Sequence, residues 1–193
     1  MRLQHFLNEK TRLLDGVWRD GEWDKGEWNN GKWLNGTWKK GEWLNGTWFS
    51  GTWNDGEWFN GIWKDGEWLN GIWNKGTWEN GLWKNGIWKD GVWNNGKWNN
   101  GTWEKGYWVG GVWNNGNWLD GIWDNGNWLK GSWKDGEWNN GKWKQGSIFS
   151  KKFNKYFISK INPRVFYEIE EKIDNMNDFD NVVKTTNNKW IKL

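Results

Sequence analysis

The side chains able to do acid–base or nucleophilic chemistry are few. His5 is the single histidine of a 193-residue chain that has no cysteine. A histidine or thiolate metal site, a disulfide framework and Cys- or His-based catalysis therefore have no residues to stand on. His5 lies in a leader with helical spacing, where it reads as a surface or cap residue rather than a general base. Carboxylates are plentiful, and Glu22, Asp24, Glu27, Asp55 and Glu57 would stand a few ångströms apart if their segments stacked, as paired-carboxylate chemistry requires. No cleft-forming insertion surrounds them, so they read as a solvated face. The regular glycines lack the Gly-Lys-Ser/Thr ending of a phosphate loop. The sequence predicts no enzyme: no catalytic residue, no metal, no cofactor and no small-molecule substrate.

What must position these side chains is a repeat. Gly occupies every fifth position from Gly16 to Gly146, and Trp follows two positions later from Trp18 through Trp143, giving 26 units of the form Gly-x-Trp-x-x. Of the 28 Gly and 27 Trp, only Gly110 and Trp190 lie outside the series. The pattern closes at Gly146-Ser147-Ile148-Phe149-Ser150, where Ile replaces Trp. Three segments follow from this: a leader, 1–15; the array, 16–150; and a tail, 151–193.

A period of five matches neither the α-helical turn nor one long alternating strand, so the chain turns once per unit. Asn, Asp or Lys commonly precedes Gly, as in Asn30-Gly31 and Asp55-Gly56, and Asn-Gly and Asp-Gly pairs tolerate positive φ. Each unit is then one short strand and one corner, and the strands stack by coiling in preference to zigzagging. If four units close a coil, a rung is 20 residues and the array is a rod of about 31 Å. At that spacing one outer column reads Lys32, Thr52, Ile72, Val92, Val112, Ser132, and the opposite one Glu22, Glu42, Ile62, Leu82, Thr102, Ile122, Lys142. A ten-residue hairpin repeat would produce the same alternation, so the periodicity supports sides without counting them.

Burial of each Trp is worth roughly 5 kcal/mol, and without it no adequate core exists. The expected core is the Gly–Trp series itself: Gly16, Trp18, Gly21, Trp23, Gly61, Trp63, Gly91, Trp93, Gly121, Trp123, Gly141 and Trp143 among its members. Gly is expected to face inward beside the ring as volume compensation, and each indole N–H needs a partner such as a corner carbonyl.

Over residues 16 to about 150 the chain resembles the pentapeptide-repeat family. Trp18, Trp23 and their successors match that family's central bulky position, and Gly16, Gly21 and their successors its small inward position. The resemblance implies an all-β, right-handed quadrilateral β-solenoid. The match lies in the period rather than the residues, because the family's usual Asp or Asn before the bulky residue is replaced here by Glu, Thr, Lys or Ile. A second resemblance is to membrane-occupation-type repeats, which contain a Gly-Glu-Trp-x-x-Gly piece, but their longer period is missing.

In the leader, Leu3, Phe6, Leu7, Leu13 and Leu14 predict a short amphipathic helix over about 2–13 that caps the first rung. The opening residues, with the triplet Leu7-Asn8-Glu9, are also similar to leaders on internal proteins of large tailed bacteriophages. In the tail, Asn162-Pro163 predicts a helix start, with Val165, Phe166, Ile169 and Ile173 on one face. The stretch from Lys151 to Lys160 interleaves lysines and aromatics. Trp190, Ile191 and Leu193 end the chain as an apolar hook or a strand folded back on the cap.

The formal net charge is +3, and the array carries 15 basic against 16 acidic side chains. That balance disfavours nucleic-acid binding and also the DNA imitation practised by some pentapeptide-repeat proteins on topoisomerases. No apolar run spans a membrane and no standard secretion leader is present. The reading that remains is a structural or assembly protein, a rigid rod held by its ends in a larger assembly, with a tailed-phage virion as the assembly that the leader resemblance implies. Its location is then the virion or the cytoplasm, and its partners are other structural proteins or itself. Phe49, Phe59, Leu69, Val109, Leu119 and Leu129 are the expected outer apolar contacts. Glycan binding through outward Trp is the alternative that conflicts with the core argument.

Overall fold

A computed structural model describes residues 12–13 and 15–150 together with four short tail strands, 155–158, 167–168, 183–184 and 190–191. The chain is an all-β parallel β-solenoid of about 8 turns, and the described residues include no helix. Each Gly-x-Trp-x-x unit contributes one two-residue strand, the Trp and the residue before it. Successive units belong to different sheets, and every strand pairs in parallel with the strand three units away, as in Ile62↔Thr77 and Trp63↔Trp78.

The coil therefore has three sides, not four. A rung is three units of five residues, and stacked positions are 15 apart rather than 20. One sheet has 11 strands and starts at Arg12–Leu13 and Glu27–Trp28; a second has 9 and runs from Val17–Trp18 to Glu137–Trp138; a third has 10 and starts at Glu22–Trp23. The rod is correspondingly longer than a square coil of the same chain, about 38 Å from the first to the last rung of the second sheet. The five-residue period shared with pentapeptide repeats is present, but their quadrilateral cross-section is not.

The reason lies at the corners. Gly21 through Gly146 all have positive φ, between 111° and 150°, a region that only glycine enters cheaply. Such a corner bends the chain by a third of a full turn, so three units close a rung. A side chain on Gly116 would begin 2.5 Å from the carbonyl oxygen of Gly101 in the rung below and 3.2 Å from Cζ2 of Trp113. The array glycines thus face the neighbouring rung along the rod axis as well as an indole ring. To the expected volume compensation are added two stricter demands, a left-handed backbone and contact between successive corners.

Between corners, inter-rung hydrogen bonds of 2.7–3.0 Å run from the residues flanking each Trp to Gly and Trp carbonyls one rung earlier, as in Thr77 N to Gly61 O and Glu79 N to Trp63 O. The residue before each Gly serves the same lattice. Asp65, Asp120 and Asn125 accept the N–H of the following Gly at 2.7–2.9 Å. Along one corner Asn70, Asn85, Asn100 and Asn115 each donate an amide hydrogen to the Asp or Asn one rung earlier at 3.2–3.3 Å, starting from Asp55.

The interior is tryptophan. Trp23 is 2% exposed, and every array Trp from Trp28 to Trp143 is 0% exposed; Trp18, in the first rung, is partly buried. Indoles 15 residues apart stack with centroids 4.7–5.2 Å apart and planes within 3–9°. Indoles 5 apart meet edge to face at 5.6–6.1 Å and 66–82°, both geometries favoured by the ring quadrupole. Five indoles, from Trp108 to Trp128, donate Nε1–H at 3.1 Å to the carbonyl 17 residues on, just before the next rung's Gly, as in Trp113 to Lys130. For these five a corner carbonyl is the partner, as the sequence leads one to expect, whereas the buried Nε1–H groups from Trp18 to Trp103 have no hydrogen-bond partner and the expectation does not hold for them. Nε1 of Trp78 and Trp103 sits beside Gly96 and Gly121, the equivalent corners, but without a bond. Tryptophan emission from the native chain is accordingly expected at short wavelength and shielded from acrylamide. Red-shifted, freely quenched emission from the folded chain would contradict this core.

The ends are stranded where helices were expected. Arg12–Leu13, the last turn of the expected leader helix, is a strand paired in parallel with Glu27–Trp28. In the tail, Lys155–Ile158 runs antiparallel to Ser147–Ser150, and Tyr167–Glu168 runs antiparallel to Lys142–Trp143. Two of the three parallel stacks therefore end on an antiparallel strand, which covers a bare edge without extending the coil. Residues 1–11, Asn162-Pro163, Val165, Phe166, Ile169 and Ile173, on which the rest of the helix expectations fall, lie outside the described residues. Trp190–Ile191 pairs antiparallel with Val183–Lys184, in keeping with a folded-back strand; Leu193 lies outside the described residues.

Candidate functional site

With the indoles turned inward, whatever the rod does is done by its outer side chains, three per unit: the two flanking each Trp and the corner residue before each Gly. The coil brings some of the candidate carboxylates together. Glu27, Glu42 and Glu57 fall on successive rungs of the first sheet. Glu22 and Asp24 converge on Lys39, at 3.2 and 3.4 Å. Hydrogen bonding and charge attraction from Glu22, then from Asp24, raise the Lys39 ammonium above its ordinary value. The cluster is open to solvent, so it is a screened surface interaction with little effect on stability. Asp55 lies 4.0 Å from Lys40, and Glu57 accepts a hydrogen bond from Asn74 at 2.9 Å.

A shallow, open depression joins Lys40, Glu42, Asp55 and Glu57 along one corner. Its floor is the glycine backbone, and no wall rises to exclude water, so the carboxylates are held in a row without the enclosure that acid–base catalysis uses. A second depression, bordered by Asn100, Asn115, Asn117, Lys130 and Ser132, presents amides and hydroxyls instead. Among the described residues no three His, Cys, Asp or Glu side chains are grouped to hold a metal ion, and no helix is long and apolar enough to cross a membrane. His5 lies outside the described residues.

The six expected apolar contacts do not form one patch. Phe59 and Leu119 lie on the first side, Phe49 and Val109 on the second, and Leu69 and Leu129 on the third, each pair four rungs apart. The 20-residue column that grouped Lys32 with Thr52 and Ile72 is likewise dispersed over three sheets. Stacking at 15 instead assembles Thr47, Ile62, Thr77, Val92, Tyr107 and Ile122 into an uninterrupted row of uncharged, mostly β-branched residues on the second sheet. Ile62 is 38% exposed and Tyr107 36%. The same residues are visible in the sequence once every third unit is read; spacing by fours hid them.

The glycan alternative needed indole faces open to sugar rings. Complete burial from Trp28 to Trp143 removes that route. No family model, curated protein or solved structure matches the chain.

Proposed function

We propose that this protein is a non-enzymatic structural component, a stiff spacer held in a larger assembly through its terminal segments. The observation that carries this reading is the continuity of the core. Three indole columns run through about 8 turns without an insertion, and each rung is bonded to the next by backbone hydrogen bonds. Such a body resists bending, and its ends differ from its shaft in composition, as attachment segments would. The near-neutral charge of the array supports this reading over imitation of DNA.

A virion is the assembly that the leader's likeness to phage internal proteins favours. The test is quantitative mass spectrometry of purified particles from the cells that make the protein, including its N-terminal peptide. A fixed copy number per particle is expected, with a mature terminus after Glu9. A protein found only free in the soluble fraction would overturn the structural reading, and an intact Met1 would remove the processing step.

A further inference from the structure

The outer row of the second sheet reads, rung by rung, Val17, Lys32, Thr47, Ile62, Thr77, Val92, Tyr107, Ile122, Glu137. Six uncharged residues are bracketed by one cation and one anion. We infer that this side is a homodimer interface, on which a second copy lies antiparallel about a two-fold axis between Thr77 and Val92. That axis places Lys32 opposite the second copy's Glu137, Thr47 opposite Ile122, Ile62 opposite Tyr107 and Thr77 opposite Val92. Isologous packing repeats each contact, so both ends of the interface carry an opposite-charge pair. Ile62 and Tyr107, the two most exposed apolar residues between the charged ends, cover each other.

The neighbouring outer row is compatible with this. Its central charges, Lys64 and Glu79, already neutralise each other at 2.6 Å within one chain, and Phe49, 38% exposed, widens the apolar area. The other two sides fit a second copy less well. The first carries three anions on successive rungs of its outer row, Glu27, Glu42 and Glu57, which a second copy would have to desolvate together. The third holds Glu67 and Lys97 in its central rungs, where pairing would require burying charge. An apolar centre with charged ends is the usual anatomy of a protein contact. Seven rung spacings by the width of one side give about 500 Å² per copy, near the lower limit for a specific complex. The contact is therefore a weak, reversible dimer, and salt weakens it further through the end pairs.

This deepens the spacer reading, on which its biological use rests, by naming the partner and the side. The experiment is sedimentation velocity of the full chain from about 10 to about 500 µM, a range suited to small interfaces. A monomer–dimer equilibrium is expected. Ile62→Asp should weaken it more than about 100-fold and Lys32→Glu about 10-fold, with Lys32→Glu/Glu137→Lys restoring association. Lys97→Glu, on the third side, should leave it unchanged. All four positions point outward, and near-UV circular dichroism of the tryptophans checks that each variant keeps the core. A monomer throughout, a dimer indifferent to Ile62→Asp, or one broken by Lys97→Glu but not by Lys32→Glu would overturn the assignment. None of those results touches particle composition, which tests the spacer reading separately.

Discussion

Trp73→Ala is expected to destabilise the rod by about 5 kcal/mol, at the upper end for a large-to-small core change. The ring is fully buried and stacked at 4.8 Å on both Trp58 and Trp88. It also meets Trp68 and Trp78 edge to face at 6.0 Å. Alanine removes all four contacts and leaves a hole walled by rigid indoles, which cannot collapse into it as flexible aliphatic side chains would. Trp18→Ala should cost much less, because that indole is only partly buried and has a stacked neighbour on one side, Trp33. Equilibrium denaturation of both variants checks the contrast. Equal losses would mean that stability is not accumulated rung by rung. A solenoid interrupted at its middle is further expected to unfold in two steps, since each rung touches only its neighbours.

Gly116→Ala is the second large effect, at about 3 kcal/mol or more, although it adds only a methyl group. Its φ of 129° lies where L-residues are strained. The new Cβ would sit 2.5 Å from the Gly101 carbonyl oxygen, which itself accepts the N–H of Asn117 at 2.9 Å. Relief would require the two rungs to part, breaking the bond that joins them. Gly110→Ala provides the internal control. That glycine lies outside the five-residue series, lacks a positive φ, and an added Cβ would meet only the Asn94 carbonyl at an ordinary 3.7 Å. A neutral or slightly stabilising change is expected there. Should both substitutions behave alike in thermal melts, the corner argument fails.

The coil, its inward Trp and its short strands were legible because period and bulk are one-dimensional properties of the sequence. The number of sides was not. Asn30-Gly31 and its equivalents announce a bend, but its angle depends on the φ and ψ that glycine adopts under inter-rung hydrogen bonding, and composition is silent on that. The same missing angle hides the surface. Phe49, Phe59 and Leu69 are scattered outer residues in the sequence and occupy three different sides of the coil, while the row from Thr47 to Ile122 emerges only when every third unit is read. The close approach of Gly to the rung below is hidden in the sequence for a related reason. In a strand Gly and Trp two positions apart share a face, but the positive-φ corner intervenes and turns the glycine toward the rung below. At the ends, Arg12–Leu13 and Tyr167–Glu168 carry helix-compatible patterns, yet each lies next to an open strand edge whose unpaired backbone groups favour an added strand.

Three equivalent units per turn make the rod a screw whose inside and outside obey different symmetries. Deleting or duplicating one Gly-x-Trp-x-x unit leaves every later indole in place, since each column simply continues with the next Trp. The outer residues downstream, however, are all dealt to the adjacent side. A change of three units alters only length, by about 4.8 Å per rung, and keeps each side's identity. Repeat slippage in such a chain can thus scramble a surface while sparing stability, and only multiples of fifteen residues preserve both.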